Sequence, residues 1–419
     1  MRSTRLLLVA VVGFLPACAD SPTAPPRVAI DDVAFNHSEG RGVFQRYVAI
    51  GTSISMGWAS DGVFVGSQTS SWPAQLALLG HREITQPDIA SPGCRSPLIA
   101  PLGLAVRLSG ESALANPATL SCAPLEAGVT LPTQNVAVNG ARTADALFTT
   151  PESSTDPLYD RVLPSGSTQV SAMEAQTPKL VSVELGAVEV LSARFGVAIA
   201  GPPPAPILAP ALWAPLYDQV LDRVEASTAK HVLLVGLITN PSSIPAFRFG
   251  SEIAANAPAL LVGFNVAVQP DCATTNAGNL IFVMPLLPTV MLQGLAARAA
   301  SLPPVPFTCA AAGPTTPDFV LTPSEQAIVA GVLAQMNAII QAEAASRGWA
   351  YFSLDALYAA PGARPPLNVA TLLTSATPFG PLMSLDGLHP SAAGQALIAS
   401  AAAQALNQTY ELGIPVDVP

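Results

Sequence analysis

The amino-acid sequence predicts an α/β fold, a parallel sheet covered by helices on both faces. Three observations carry this. Residues 231–238 are a continuous apolar run of strand length, as a strand buried on both faces requires, and residues 47–50 and 180–185 read as further strands, each ending at a glycine. Segments of helical spacing alternate with them. The 419 residues are 50% hydrophobic and only 11% charged, enough for a large core and incompatible with a disordered chain. The net charge of −10 excludes a nucleic-acid binder, which calls for basic patches.

Taken in order, the chain starts with Arg2 and Arg5 ahead of the apolar run 6–15. That run falls short of the ~20 residues that span a bilayer and reads as a signal-peptide core. Residues 1–17 are therefore assigned to a signal peptide, 18–42 to an anchor site and linker, 43–410 to one domain and 411–419 to a tail. Tyr47-Val48-Ala49-Ile50-Gly51-Thr52-Ser53 reads as a buried strand ending in a tight bend. Gly51 is expected to supply backbone angles that a Cβ forbids. Ser53 then sits just past the strand's carboxyl end, where α/β proteins place their chemistry.

Residues 72–80 form a short helix with Pro73 in its first turn and Gly80 after its end. Residues 135–140 read as a short strand ending in Gly140, followed by a helical start at Thr143. Residues 216–225 have helical spacing, and Thr322-Pro323-Ser324-Glu325 is a capping box opening a helix that Gly348 ends. Ile328, Val332, Met336, Ile339 and Ile340 are expected on its apolar face. Residues 349–354 read as a strand and 391–406 as an Ala-rich helix. Two long stretches, about 85–132 and 254–321, interrupt the alternation as insertions. The apolar part of the second contains Pro285 and Pro288, which argues against a membrane helix.

Setting Cys18 aside, Cys94, Cys122, Cys272 and Cys309 remain. An even number in an exported chain suggests two disulfides, with three connectivities open. Nearest-neighbour pairing, Cys94 with Cys122 and Cys272 with Cys309, places one bridge in each insertion and contributes ~3–4 kcal/mol apiece. No Cys/His spacing resembles a zinc site, and no metal or organic cofactor is implied.

Candidate chemistry lies at both ends of the domain. Asp386 and His389 stand three residues apart in Asp386-Gly387-Leu388-His389-Pro390, just before the last helix, and the chain holds only four histidines. With Ser53 they permit a Ser–His–Asp triad, in which the histidine takes the serine proton and the aspartate holds its tautomer. Asp61, Asp145 and Glu184 are expected at capping or solvated positions. Trp58 and Trp72 are expected in packing, or along an acyl pocket. His231, opening its strand, is read as structural.

These blocks resemble the SGNH/GDSL hydrolases. Gly51-Thr52-Ser53-Ile54 is similar to that family's nucleophile block, with Thr52 where an Asp is usual. Residues 135–140 are similar to the second block, and 386–394 to the last. The resemblance implies a three-layer α/β/α sandwich of flavodoxin-like type and a serine esterase or lipase without cofactor. Ser53 would be nucleophile, His389 general base and Asp386 its orienter, with the N–H groups of Ser53 and Gly140 in the oxyanion hole. The third block departs: Val188 and Glu189 stand at the family's Asn and Asp, and valine offers no donor to an oxyanion. Losing one such donor costs ~2.7–4 kcal/mol of barrier. That departure keeps open a surface binding lipoprotein with weakened catalysis, and a polysaccharide O-acetyl esterase needs only the same triad. Leu15-Pro16-Ala17-Cys18 resembles a lipobox, which implies a lipid anchor at Cys18 and an outer-membrane lipoprotein; a periplasmic or secreted protein is the competing outcome. The implied partners are an ester substrate (lipid, acyl ester or acetylated glycan) and a membrane. The apolar stretches 207–213 and 280–292 are read either as an acyl-chain groove or as core.

Overall fold

The computed structural model describes residues 42–416. The signal segment, Cys18, most of the linker and the last three residues lie outside the described residues. The central sheet has four parallel strands in chain order: β1 (Tyr47–Gly51), β2 (Leu180–Glu184), β3 (His231–Gly236) and β4 (Ala350–Ser353). Tyr47 pairs with Leu180, Leu180 with His231, and Leu233 with Ala350. Every residue of β1 and β2 is buried, because helices cover both faces. One polar pair is admitted between them: the Tyr47 hydroxyl and Ser182 Oγ hydrogen-bond at 2.9 Å, so neither is left unsatisfied.

Six helices position the site. The four-residue α1 (Ser53–Met56) follows β1 directly. α2 (Trp72–Leu79) packs on α6 (Ala392–Tyr410), which lies across β4 and β3. α3 (Gln169–Ala175), α4 (Pro210–Glu225) and α5 (Pro323–Arg347) form the other layer, with α3 on β1 and α5 on β3. The three-layer α/β/α sandwich predicted above is the observed architecture.

The segment after Gln134 is a correction. A strand was expected over residues 135–140. The chain instead makes a single parallel bridge, Asn135 to Ala49, and two further bonds, from Val136 N–H to Ala49 O (2.9 Å) and from Val138 N–H to Gly51 O (3.1 Å). Val136, Ala137 and Val138 are all buried, so the segment lies as an irregular fifth strand along β1. Counting it, the sheet order is 2-1-3-4-5, the flavodoxin-like order, whose reversal falls beside β1.

α5 begins as its sequence demands. Thr322 N–H donates to Glu325 Oε2 (2.8 Å), Glu325 N–H returns a bond to Thr322 Oγ1, and Gly348 closes the helix at φ +67°. The buried face is Val329, Val332, Leu333, Met336 and Ile340; Ile328 is exposed, one position off that stripe. Disulfides join Cys94 to Cys122 and Cys272 to Cys309. The first ties a segment with only two short 3₁₀ turns; the second insertion folds further, into the helices Ala257–Phe264 and Val283–Ala299. Ile207, Trp213 and Leu280 are fully buried core residues.

Candidate active site

The turn from β1 into α1 is held by a ring of buried polar side chains. Gly51 N–H donates to Gln169 Oε1 (3.1 Å) from α3. Glu184, last residue of β2, accepts from Thr52 N–H (3.0 Å), Thr52 Oγ1 (2.8 Å), Ser55 N–H (3.3 Å) and Ser55 Oγ (3.0 Å). Asn135 Nδ2 donates to Ser55 O (2.8 Å), and Gln395 Nε2 from α6 donates to Ile54 O (3.1 Å). Gly51 is required here for space rather than for its backbone angles. A Cβ on it would come within 2.5 Å of Ser55 Oγ.

The far end of the chain meets this turn just before α6. His389 Nε2 lies 3.0 Å from Ser53 Oγ, and His389 Nδ1 lies 2.8 Å from Asp386 Oδ2. All three residues are buried, at 6–8% exposure. Asp386 also accepts from the N–H groups of Leu388 and His389 (2.9 Å each), from Ser384 Oγ (3.0 Å) and from Asp61 N–H (2.8 Å). Burial alone would push its carboxyl up. The neighbouring imidazole and these donors outweigh burial and hold it far below the usual carboxylate range. An ionised Asp386 can only accept, so His389 Nδ1 carries the proton and Nε2 of the neutral ring presents a lone pair to the Ser53 hydroxyl.

A hydroxyl leaves the first strand, and an Asp/His pair stands ahead of the last helix, on a sheet of order 2-1-3-4-5. This is the arrangement that the resemblance to the SGNH/GDSL hydrolases implies, on a three-layer α/β/α fold of flavodoxin-like strand order. No family model matches it, and no curated protein matches it in sequence. Among solved structures it is similar to an extracellular lipase from Streptomyces rimosus, at 14% identity and a TM-score of 0.35, over 87% of this chain and 98% of that one. It is also similar to a mutant of an acetyl-xylooligosaccharide esterase from Geobacillus, at 11% identity and a TM-score of 0.33, over 89% and 96%. Likeness at that level carries no argument about chemistry, which rests on the side chains.

Gly140 lies two residues beyond Val138, itself bonded to Gly51, and has φ +77°. Among the described residues the N–H groups of Ser53 and Gly140 donate to no other protein atom. The turn after Gly140 is tied back by Glu189, whose Oε1 accepts from Thr143 N–H at 2.6 Å. Val188 lines the apolar pocket that opens beside Ser53 and His389. Ile54, Leu191, Leu237, Phe247, Leu333 and Leu354 are among the apolar residues of its wall, and its cavity volume is about 100 Å³. Neither residues 207–213 nor 280–292 line it.

Several further residues depart from expectation. Glu184 is fully buried rather than solvated. Asp61 carries two ion pairs, to Arg95 (2.9 Å) and Arg107 (2.6 Å), while its N–H holds Asp386. The position of Glu184 at the end of a strand buried on both faces obliges it to meet donors, though the sequence does not say which. Asp145 caps its helix as expected, accepting from Arg142 N–H at 2.8 Å. Trp58 is buried with its ring centroid 6.5 Å from that of His389, and Trp72 is buried with Nε1 bonded to Ser55 Oγ. Among the described residues no cluster of His, Cys, Asp and Glu is arranged to hold a metal.

Proposed function

We propose that the chain is an exported serine hydrolase that cleaves carboxylic esters through an acyl-enzyme. The observation that carries this reading is the continuous relay from Asp386 through His389 to Ser53, at 2.8 and 3.0 Å, at the mouth of a largely apolar pocket. His389 Nε2 takes the Ser53 proton as Oγ bonds to the ester carbonyl carbon. The tetrahedral oxyanion is met by the N–H groups of Ser53 and Gly140. The imidazolium, stabilised by Asp386, then protonates the leaving alcohol as the acyl C–O bond breaks. Water repeats the sequence in reverse, releasing the acid and restoring the Ser53 hydroxyl. In this reading the N-terminal segment directs export, and Cys18 carries a lipid that tethers the domain to a membrane. A Cys18→Ser variant recovered wholly in the soluble fraction supports the tether; unchanged membrane recovery removes it.

The chemistry is tested with a fluorophosphonate that labels activated serines, mapped by peptide mass, and with p-nitrophenyl esters. Label on Ser53, lost with turnover in Ser53→Ala, is the expected result. Equal turnover by the two proteins would discard the assignment. Val188 favours a second reading, a binding protein on the same fold with weakened catalysis. Absence of both labelling and turnover in the wild type and in Val188→Asn selects it.

A further inference from the structure

The rim of the pocket carries a charge that the relay does not use. Arg194 lines the pocket together with Ser53 and His389. Its guanidinium stacks on Phe195, 4.8 Å from the ring centroid, and Phe195 is itself exposed. Stacking engages the face of the guanidinium and leaves its in-plane N–H donors free. Among the described residues Arg194 has neither a carboxylate partner nor a hydrogen bond. A half-buried cation without a partner is unfavourable, and burial lowers its pKa; the fields of Asp61 and Asp386 offset this in part, while Arg95 adds to it.

The unpartnered guanidinium favours an anion. The carboxylates whose fields reach Arg194 are engaged elsewhere: Asp61 by Arg95 and Arg107, and Asp386 by His389 and four further donors. Arg194 is half-buried, whereas Leu237, Phe247, Leu333 and Leu354 wall the same pocket and bring no charge. An anion on an acyl chain would have to enter those apolar walls. An anion on the alcohol side stays at the rim.

We propose that Arg194 binds a phosphate or carboxylate carried on the alcohol portion of an amphiphilic ester whose acyl chain fills the apolar pocket. The proposal rests on the ester-hydrolase reading for its turnover but not for its binding step. In that step the guanidinium's free donors form charge-assisted, paired bonds to the anion. His389 returns its proton to the alcohol oxygen, and the anionic alcohol departs from the rim.

Binding is tested first with non-ester probes, so that it stands apart from catalysis. Calorimetry with dodecyl phosphate, dodecanoate, dodecanol and inorganic phosphate is run on wild type, Arg194→Gln, Arg194→Met and Arg194→Lys, each checked for its native thermal transition. The expected result is that at least one of the two anionic amphiphiles binds wild type about tenfold or more tighter than dodecanol. Which of them shows that margin identifies the anion. The Gln and Met variants lose the margin, and Lys keeps part of it. No margin for either amphiphile in wild type, a margin unchanged in Gln and Met, or inorganic phosphate binding as tightly as dodecyl phosphate overturns the proposal. Turnover of dodecanoyl glycerol phosphate against neutral dodecanoyl glycerol is the second arm. A fall in the anionic-to-neutral ratio of kcat/KM in Arg194→Gln is expected; equal slowing of both esters assigns Arg194 to the oxyanion and overturns the proposal. Absence of all turnover with the binding margin intact would fault the hydrolase reading and leave this one standing.

Discussion

Glu184 offers the most direct test of how the fold holds Ser53. Its carboxylate meets four donors, of which the Thr52 and Ser55 hydroxyls can turn to other acceptors and the two backbone N–H groups cannot. In Glu184→Ala both N–H groups stay buried and unpaired, at ~1–3 kcal/mol each, so the variant should lose about 2–6 kcal/mol. Against a total stability of ~5–15 kcal/mol that is a large fraction. Glu184→Gln keeps one oxygen for the N–H donors and can give its amide N–H to Thr52 Oγ1, so its loss should be much smaller. Chemical denaturation gives the stabilities, and the rate of fluorophosphonate labelling reports the Ser53 turn. The sign with pH is also fixed. Burial raises the Glu184 carboxyl above its ordinary 4.5, and the bonds from Thr52 and Ser55 only partly counter this. The folded state then binds the proton more tightly than the unfolded state, so stability declines as pH rises from about 4.5 toward the folded value, and Glu184→Gln removes that limb. An Ala variant within about 0.5 kcal/mol of wild type, labelling at the same rate, would refute the reasoning.

Val188→Asn adds a donor to the pocket wall beside Ser53 and should raise kcat by ~100–1000-fold if the two N–H groups are all the oxyanion has; an unchanged kcat shows that another group already serves. Asp386→Asn reverses the imidazole's tautomer preference and should lower kcat by about 10⁴-fold, read with p-nitrophenyl esters. Asp386 also has a folded pKa below its unfolded value of about 3.9. Its contribution to stability is complete above that value and vanishes as pH falls through the folded pKa, so the acid limb of a urea-midpoint profile should flatten in Asp386→Asn. Replacing Cys272 and Cys309 with Ala opens a loop of 37 residues and should remove about 3.8 kcal/mol.

The sheet strands were legible because each is a short, mainly apolar run, glycine following or closing the first three, and the long helix because its cap is written in four consecutive residues. Ser53, Asp386 and His389 could be singled out because they sit in short motifs at strand and helix ends. What holds them could not. Gln169, Glu184, Asn135 and Gln395 reach the Ser53 turn across separations of 80 to 341 residues, and no local pattern marks a long-range bond. The same applies to Asp61, whose N–H steadies Asp386 from 325 residues away. Ile328 was misplaced because five apolar residues over thirteen positions fit more than one helical stripe; packing against the sheet buries Val329 and leaves Ile328 exposed. Arg194 carried no signal, since an arginine three residues into a turn is ordinary until a pocket opens beside it.

Val188 and the pocket it lines lead to a last prediction about how the proposed esterase divides its binding energy. Compared with an asparagine, the valine removes an interaction made only in the transition state, worth ~2.7–4 kcal/mol, and extends the apolar wall. Each methylene of an acyl chain buried against that wall contributes about 0.8 kcal/mol, so four or five methylenes match the lost donor. The two are not interchangeable. Contacts along the chain are the same in the ground state and the transition state, and uniform binding lowers KM without raising kcat. A series of p-nitrophenyl esters should therefore show KM falling about fourfold per methylene until the pocket is full, with kcat level throughout. If kcat climbed with chain length instead, the pocket would be positioning the carbonyl against Ser53, and the valine would be compensated by geometry rather than by affinity.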